Sequence, residues 1–320
     1  MASGEDTLIS RYFAPLATDP GAFGLRDDAA VLKTAGEDLV VNTDAIVEGV
    51  HFLPDDPPDT IAHKALRTNL SDLAAKGAEP AGFVLTLALK ARDEAWLAAF
   101  ARGLGEDIQT YGCPLLGGDT VSTSGPTMIS VTAFGRIPEG RTVRRAGAQV
   151  GDLIVVTGTI GDAALGLAVL QGRLTSSNEE LLIDRYRVPQ PRCALARAVR
   201  EHATASMDVS DGLAGDLAKL CGVSGVAAVI EAAMLPLSAP ASALLDAGMI
   251  GIETLVAGGD DYEILCTMPE ERVASFMAQA EEAGVAAAVI GEIVAGEAQV
   301  RFVDAEGREI ALKRHSYSHF

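Results

Sequence analysis

DLVVNTD (38–44), FVLTLAL (83–89), TMISVTAFGRI (127–137), DLIVVTG (152–158) and YEILCTM (262–268) are apolar runs of strand length. Between them the period changes. DTIAHKALRTNLSDLAAKG (59–77) carries Ile61, Ala65, Leu66, Leu70 and Leu73 at helical spacing. DEAWLAAFARGLGEDI (93–108) opens on Asp93 as an N-cap and places Trp96, Leu97, Phe100 and Leu104 on one face. A chain that keeps switching between these two periods buries its apolar side chains by laying helices on sheets, so the expected class is α/β or α+β. Further helices are expected over 161–171, 190–203, 211–221, 240–248 and 269–283. Periodicity lapses in PEGRTVRRAGAQVGD (138–152), which divides the chain into an N-terminal domain, 1–140, and a C-terminal domain, 147–320.

At 320 residues the chain is long enough for two such domains. Hydrophobic residues make up 48% and aromatics 5%, so the core is built from Ala, Val, Leu and Ile. A formal net charge of −19 repels nucleic acid and anionic lipid. The densest basic stretch, RTVRRAG (141–147), suits one phosphate ligand and is thin for a duplex. Cys113, Cys193, Cys221 and Cys266 form no C-x-x-C pair, and MASGEDTLIS at the start has no apolar core of a signal peptide. The most apolar window, 226–245, is interrupted by Glu231, Pro236 and Pro240. The expectation is a cytoplasmic protein with reduced thiols and neither nucleic-acid nor membrane partners.

Most acids of such a chain are solvated decoration, but nine aspartates stand elsewhere. Asp27, Asp28, Asp44, Asp119, Asp208, Asp211, Asp260 and Asp261 fall at the ends of apolar runs or in Gly-rich turns, and Asp72 joins them from a helix. Any one of them alone is read more economically as a turn or N-cap carboxylate. Together they would raise one another's pKa unless cations neutralise them. Oxygen donors of this kind suit Mg²⁺, which combines few carboxylates with ligand phosphates, whereas zinc would want the Cys and His that show no ligand spacing. Several Mg²⁺ ions facing Gly-lined backbone suggest a nucleotide polyphosphate. No Walker A loop, G-x-G-x-x-G, G-x-S-x-G elbow or H-R-D loop is present.

RDDAAVL, VNTDAIVEGVHF, ALRTNLSDLAAKGAEP, LLGGDT, TGTIGDAALGL, MDVSDGL and GGDDYEIL resemble, in order, the motifs of the thiamine-monophosphate kinase family. The resemblance runs from GEDTLISRYF to SYSHF, nearly the whole chain. It implies the two-domain aminoimidazole ribonucleotide synthetase-like fold, with an N-terminal domain that forms an intersubunit β-barrel in a homodimer. It implies transfer of the γ-phosphoryl of ATP to thiamine monophosphate. Carried over by position, it implies a magnesium shell of Asp28, Asn42, Thr43, Asp44, Asp72, Asp119, Asp208 and Asp211. Gly118, Asp119, Arg145 and Ser210 are implied to contact ATP, and His51, Asp260 and Tyr317 the thiamine monophosphate. Three positions depart from the family pattern: Arg26 stands for Gly, Asn42 for Ser, and Asp260 for the Glu of G-G-E-D.

The chemistry fits this resemblance. An acceptor phosphate with a second pKa of about 6 is already a nucleophile, so no general base is needed. What remains is positioning and charge neutralisation, with Asp44, Asp119 and Asp211 acting through Mg²⁺ in an in-line transfer. Arg145 offers a planar fork to phosphate, and Asp260 and Tyr317 suit a cationic thiazolium ring. Two alternatives stay open. One is a related ATP-dependent synthetase, although neither an early reactive cysteine nor a C-terminal one is present. The other is a nucleotide-binding protein without catalysis.

Overall fold

The computed structural model describes residues 9–18, 34 and 36–313. The chain divides into two compact units, Met1–Leu73 with Ala78–Gly140, and Ala74–Gly77 with Arg141–Phe320.

The first unit is built on a four-stranded sheet of β1 (Glu37–Val47), β2 (Glu79–Leu89), β3 (Leu115–Ser122) and β4 (Met128–Pro138), in the order β1-β4-β2-β3. β4 is antiparallel to both of its neighbours, and β2 and β3 run parallel. Strict alternation along β4 buries Ile129, Val131, Ala133 and Ile137, the pattern of a sheet covered on one face. α1 (Pro58–Ala75) buries Ile61, Ala65, Leu66, Leu70 and Leu73, as its spacing predicts. It crosses β4 so closely that a Cβ on Gly135 would meet Leu73 at 3.0 Å. α2 (Glu94–Tyr111) starts where Asp93 accepts the N–H groups of Ala95 and Trp96, and it buries Leu97, Phe100 and Leu104, with Trp96 stacked on Phe100. Arg67 of α1 grips the fully buried Asp107 of α2 through Nε and Nη2, at 2.9 and 2.8 Å. That fork locks the two helices together.

The second unit holds a seven-stranded sheet in the order β11-β10-β7-β9-β5-β8-β6. Its strands are β5 (Leu153–Thr157), β6 (Ala205–Asp208), β7 (Ala227–Glu231), β8 (Ile264–Met268), β9 (Ala287–Val294), β10 (Val300–Val303) and β11 (Glu309–Ile310). All neighbours are antiparallel except β10 and β7. The central strands are buried on both faces. Ile154, Val156, Met207 and Leu265 pack with Leu213, Leu217 and Leu220 of α6 (Leu213–Ser224). Val155, Ile264, Cys266 and Met268 pack with Val199 of α5 (Ala196–His202) and Phe276 and Ala280 of α9 (Glu270–Glu282). The remaining helices are α3 (Asp162–Leu170), α4 (Glu179–Arg187), α7 (Ala239–Asp246) and α8 (Ile252–Val256).

The helix expected over 190–203 begins only at Ala196, after a 3-10 turn at Cys193–Leu195, because Pro189 and Pro191 supply no N–H for a helical ladder. With few parallel pairs the class is mixed α+β, and among the described residues each sheet is open. No described helix is long and apolar enough to cross a membrane.

Candidate functional site

In the first unit, Asn42 and Asp44 lie two apart on β1 and share a face of the strand. The Nδ2 of Asn42 donates to Asp72 Oδ2 at 3.0 Å, and to the backbone carbonyl and Oδ1 of Asn69 at 3.2 and 3.3 Å. Asn69, wholly buried on α1, also accepts the backbone N–H of Asp44 at 3.1 Å. One helix amide thus pins both β1 residues. The three acceptors around Nδ2 fix the orientation of the Asn42 amide. They turn its Oδ1 the other way, where it is buried with no hydrogen-bond partner among the described residues. A buried amide oxygen left in this way is a donor suited to a hard cation.

Thr43 points to the opposite face of β1, with its hydroxyl donating to Val131 O at 3.0 Å and accepting from Thr132 Oγ1 at 3.0 Å. His51, in the turn after β1, accepts the Val47 N–H on Nδ1 at 3.0 Å, which leaves the proton of the neutral ring on Nε2.

Gly118 and Asp119 stand on β3, at the far edge of the sheet. A Cβ at Gly118 would lie 1.8 Å from Leu85 O, so only glycine lets β3 approach β2 here, while Asp119 next to it is exposed. The register carries Asp44 to Val131, Leu85 and Gly118 in turn. At about 4.8 Å per strand, that separates the Asp44 and Gly118 backbones by roughly 14 Å along the sheet. Among the described residues of this unit, the aspartates singled out in the sequence therefore form two groups, one at each edge.

In the second unit, Asp208 ends β6, nearly buried, and the loop Val209–Gly212 follows it. Asp216, fully buried in the first turn of α6, accepts the N–H groups of Ser210 and Asp211 on Oδ2, at 3.0 and 2.9 Å. Burial pushes its carboxyl up, against the pull of Lys219. The Lys219 ammonium donates to Asp216 at 2.8 Å and also to Asp211. Burial opposes the charge of Lys219, but the two carboxylates prevail and its pKa is raised.

A second loop, 257–262, is stitched to the first. The N–H groups of Asp260 and Tyr262 donate to Ser210 O and Val209 O, each at 2.8 Å. Gly212 and Gly259 are required at this seam, where a Cβ would lie 2.9 Å from Gly258 O and 2.6 Å from Ser210 O respectively. Asp260 and Tyr262 are the non-glycine residues with left-handed backbone among those described, at φ 73° and 50°. Each costs on the order of 1–3 kcal/mol, and such outliers gather at functional sites. Ser210, Asp211 and Asp260 are thereby brought together.

Asp261, by contrast, turns inward and accepts the Gly161 N–H at the start of α3 on both oxygens, at 3.0 and 2.8 Å. Burial pushes its carboxyl well above the usual range, with Gly161 pulling the other way. Next to it, the buried Glu263 is held by Arg192 through Nε at 2.6 Å and by Thr157 Oγ1 at 2.7 Å. Arg145 is exposed on its loop, and its carbonyl accepts from Ser224 Oγ at 3.4 Å. Asp28 and Tyr317, like Arg26 and Asp27, lie outside the described residues. Among the described residues, no three His, Cys, Asp or Glu side chains gather closely enough to hold a metal by themselves.

Fold and loops define a class: residues 26–137 match the AIR synthase related protein, N-terminal domain, and residues 149–304 its C-terminal domain counterpart. Over 317 residues the chain is 44% identical to the thiamine-monophosphate kinase of Caulobacter vibrioides, covering 97% of this chain and 89% of that protein. The chain belongs to the thiamine-monophosphate kinase family. The crystal structure of that kinase from Stenotrophomonas maltophilia K279a matches it with a TM-score of 0.84 at 37% identity, over 97% of this chain and 99% of the other. AaThiL complexed with AMPPCP and TMP matches with a TM-score of 0.78 at 30% identity, over 98% and 94% of the two chains.

Proposed function

We propose that this chain transfers the γ-phosphoryl group of ATP to thiamine monophosphate, releasing ADP and thiamine diphosphate. Family membership over nearly the full chain supports the reaction, as does a relative, AaThiL, that is complexed with AMPPCP and TMP. The observation that carries the site reading is the placement of the acids. Asn42, Asp44 and Asp72 converge around Asn69 in one unit, and Asp211 and Asp260 sit on two stitched loops in the other.

Asn42, Asp44, Asp72 and Asp119 would hold Mg²⁺ in the first unit, and Asp208 and Asp211 in the second, with Asp28 completing the set; Thr43, expected among them, turns its hydroxyl to the opposite face of β1 and bonds Val131 O instead. Bound there, Mg²⁺ supplies neutralisation of the polyphosphate charge. The separation of Asp44 from Asp119 along the sheet is the reason the reading includes several ions. Gly118 gives ATP a side-chain-free approach, Ser210 and Arg145 are assigned to it as polar contacts, and His51, Asp260 and Tyr317 are assigned to the acceptor. No side chain needs to take a proton, because the acceptor phosphate arrives as a nucleophile.

The first domain, 1–140, is read as the ATP-, metal- and dimer-forming part and 147–320 as the second α/β domain. A homodimer is favoured by the sheet of the first unit. Leu39 and Val41 on β1 and Val121 on β3 are 38%, 53% and 46% exposed, on the two edge strands of that sheet. A second copy closing a barrel would cover them and pair the open edges. A cytoplasmic setting is favoured by the reduced thiols of Cys113, Cys193, Cys221 and Cys266, none of them in a disulfide. Burial pushes two of them, Cys221 and Cys266, up to about 11 and about 12, which keeps both inert.

The test is ADP release from Mg²⁺-ATP on addition of thiamine monophosphate, with thiamine diphosphate formed in equal amount. Chelation should stop turnover and Mg²⁺ restore it. Asp44→Asn and Asp119→Asn should each abolish it while leaving the melting temperature unchanged or higher, since each removes a repelling charge. Absence of ADP release with thiamine monophosphate or any related acceptor would overturn the reading.

A further inference from the structure

Asp260 and Tyr262 bracket Asp261 in a segment whose backbone is tied down from two directions. Their N–H groups reach Ser210 O and Val209 O, and Asp261 between them reaches Gly161 N–H. Both flanking residues sit at positive φ. The phenol of Tyr262, whose residue is 8% exposed, donates to Oδ1 of Asp260 at 3.2 Å.

We infer that Tyr262 is a positioning residue that fixes the Asp260 carboxylate toward the cationic ring of the acceptor, and so sets acceptor affinity. The inference rests on the reading above that Asp260 meets the acceptor. A carboxylate on a short side chain, already bonded by a buried phenol and carried on a pinned backbone, keeps one orientation before the ligand arrives. Less rotamer freedom is then lost on binding, and the charge stays where a cation can use it. The Asp at position 260 is one methylene shorter than the family's Glu, which leaves fewer torsions for the phenol to restrain. Tyr262 would not touch ATP or the transferred phosphoryl group, so its influence falls on acceptor binding and not on the chemical step.

The experiment is steady-state kinetics of the full chain with Mg²⁺-ATP and thiamine monophosphate for native, Tyr262→Phe, Asp260→Asn and the double variant. Tyr262→Phe should raise KM for the acceptor about five- to tenfold, with kcat within about twofold and KM for ATP unchanged. Asp260→Asn should raise the acceptor KM further, and the double variant should be no worse than Asp260→Asn alone, because the phenol then has no carboxylate to orient. If Asp260→Asn raises the acceptor KM and Tyr262→Phe does not, the positioning role is overturned while the assignment of Asp260 stands. Fully additive effects overturn it as well, and so does a joint loss of kcat and ATP affinity in Tyr262→Phe, which would assign the tyrosine to the fold alone. If Asp260→Asn leaves the acceptor KM unchanged, the reading of Asp260 and the inference fall together.

Discussion

Asn69 holds Asp44 by its backbone, the amide Oδ1 on α1 accepting the Asp44 N–H on β1 at 3.1 Å. β1 is an edge strand among the described residues, so this bond, as well as the ladder to β4, fixes where Asp44 stands. Asn69→Ala should cost about 1–3 kcal/mol, since it strands the Asp44 N–H and removes a partner of Asn42. Urea melts would measure the loss. Mg²⁺ titration of the folded variant should show weaker binding than native.

The two glycines of LLGGDT should respond differently. A Cβ at Gly117 meets nothing within 4 Å, whereas one at Gly118 meets the Leu85 carbonyl. Gly117→Ala should change stability by less than about 1 kcal/mol, and Gly118→Ala should destabilise by more than about 3 kcal/mol or prevent folding. Soluble yield and thermal melts separate the two outcomes.

Asp216 shapes the Val209–Gly212 loop without belonging to the nine aspartates singled out in the sequence. Asp216→Ala leaves two N–H groups without their carboxylate and should destabilise by about 2–4 kcal/mol. Asp216→Asn keeps an acceptor oxygen and should cost less. Both should lower turnover, because Ser210 and Asp211 lose their placement. Melts paired with kcat for the two variants test this ranking.

Asp261 makes a pH-dependent contribution whose sign is fixed by the direction in which burial moves its carboxyl. Its folded-state pKa is raised, so the native state binds the proton more tightly than the unfolded chain. Stability from this group is full below the ordinary carboxyl pKa and falls as pH rises toward the elevated value, by about 1.4 kcal/mol for each pH unit crossed between the two. Asp261→Asn can still accept from Gly161 and carries no proton to lose. The melting temperature of the variant minus that of native should therefore grow as pH rises from about 4 to about 7. A constant difference would sink this assignment.

The strands β5 and β8 are legible in the sequence because DLIVVTG and YEILCTM are apolar on both faces, which a doubly covered strand requires. β3 is hidden: Gly117 and Gly118 interrupt its apolar pattern at the point where close approach to β2 demands the second of them. α4 buries only Leu182 and Tyr186 of its nine residues, too sparse a stripe to mark a helix. Sheet order depends on pairings between distant segments and leaves no local trace. In the candidate site, the aspartates are visible because they stand at the ends of apolar runs or in Gly-rich turns, although Asp44 and Asp119 lie within β1 and β3 and not at their ends. Asp216, Arg192 and Glu263 are not, since a polar residue within or beside a helix or strand looks like ordinary surface until the fold turns it inward.

The four-stranded sheet has a further consequence for how the protein must be handled. Among the described residues it ends in two open edges, and Asp44 and Asp119 are placed one on each. Unpaired strand edges recruit foreign strands, and charged side chains are the usual guard against such pairing. If the proposed assignment holds, Asp44 and Asp119 would double as gatekeepers against aggregation wherever those edges are not paired by a second copy. Variants built to silence the reaction at both edges would strip that guard, and their loss of activity should be read only from protein shown to be monodisperse.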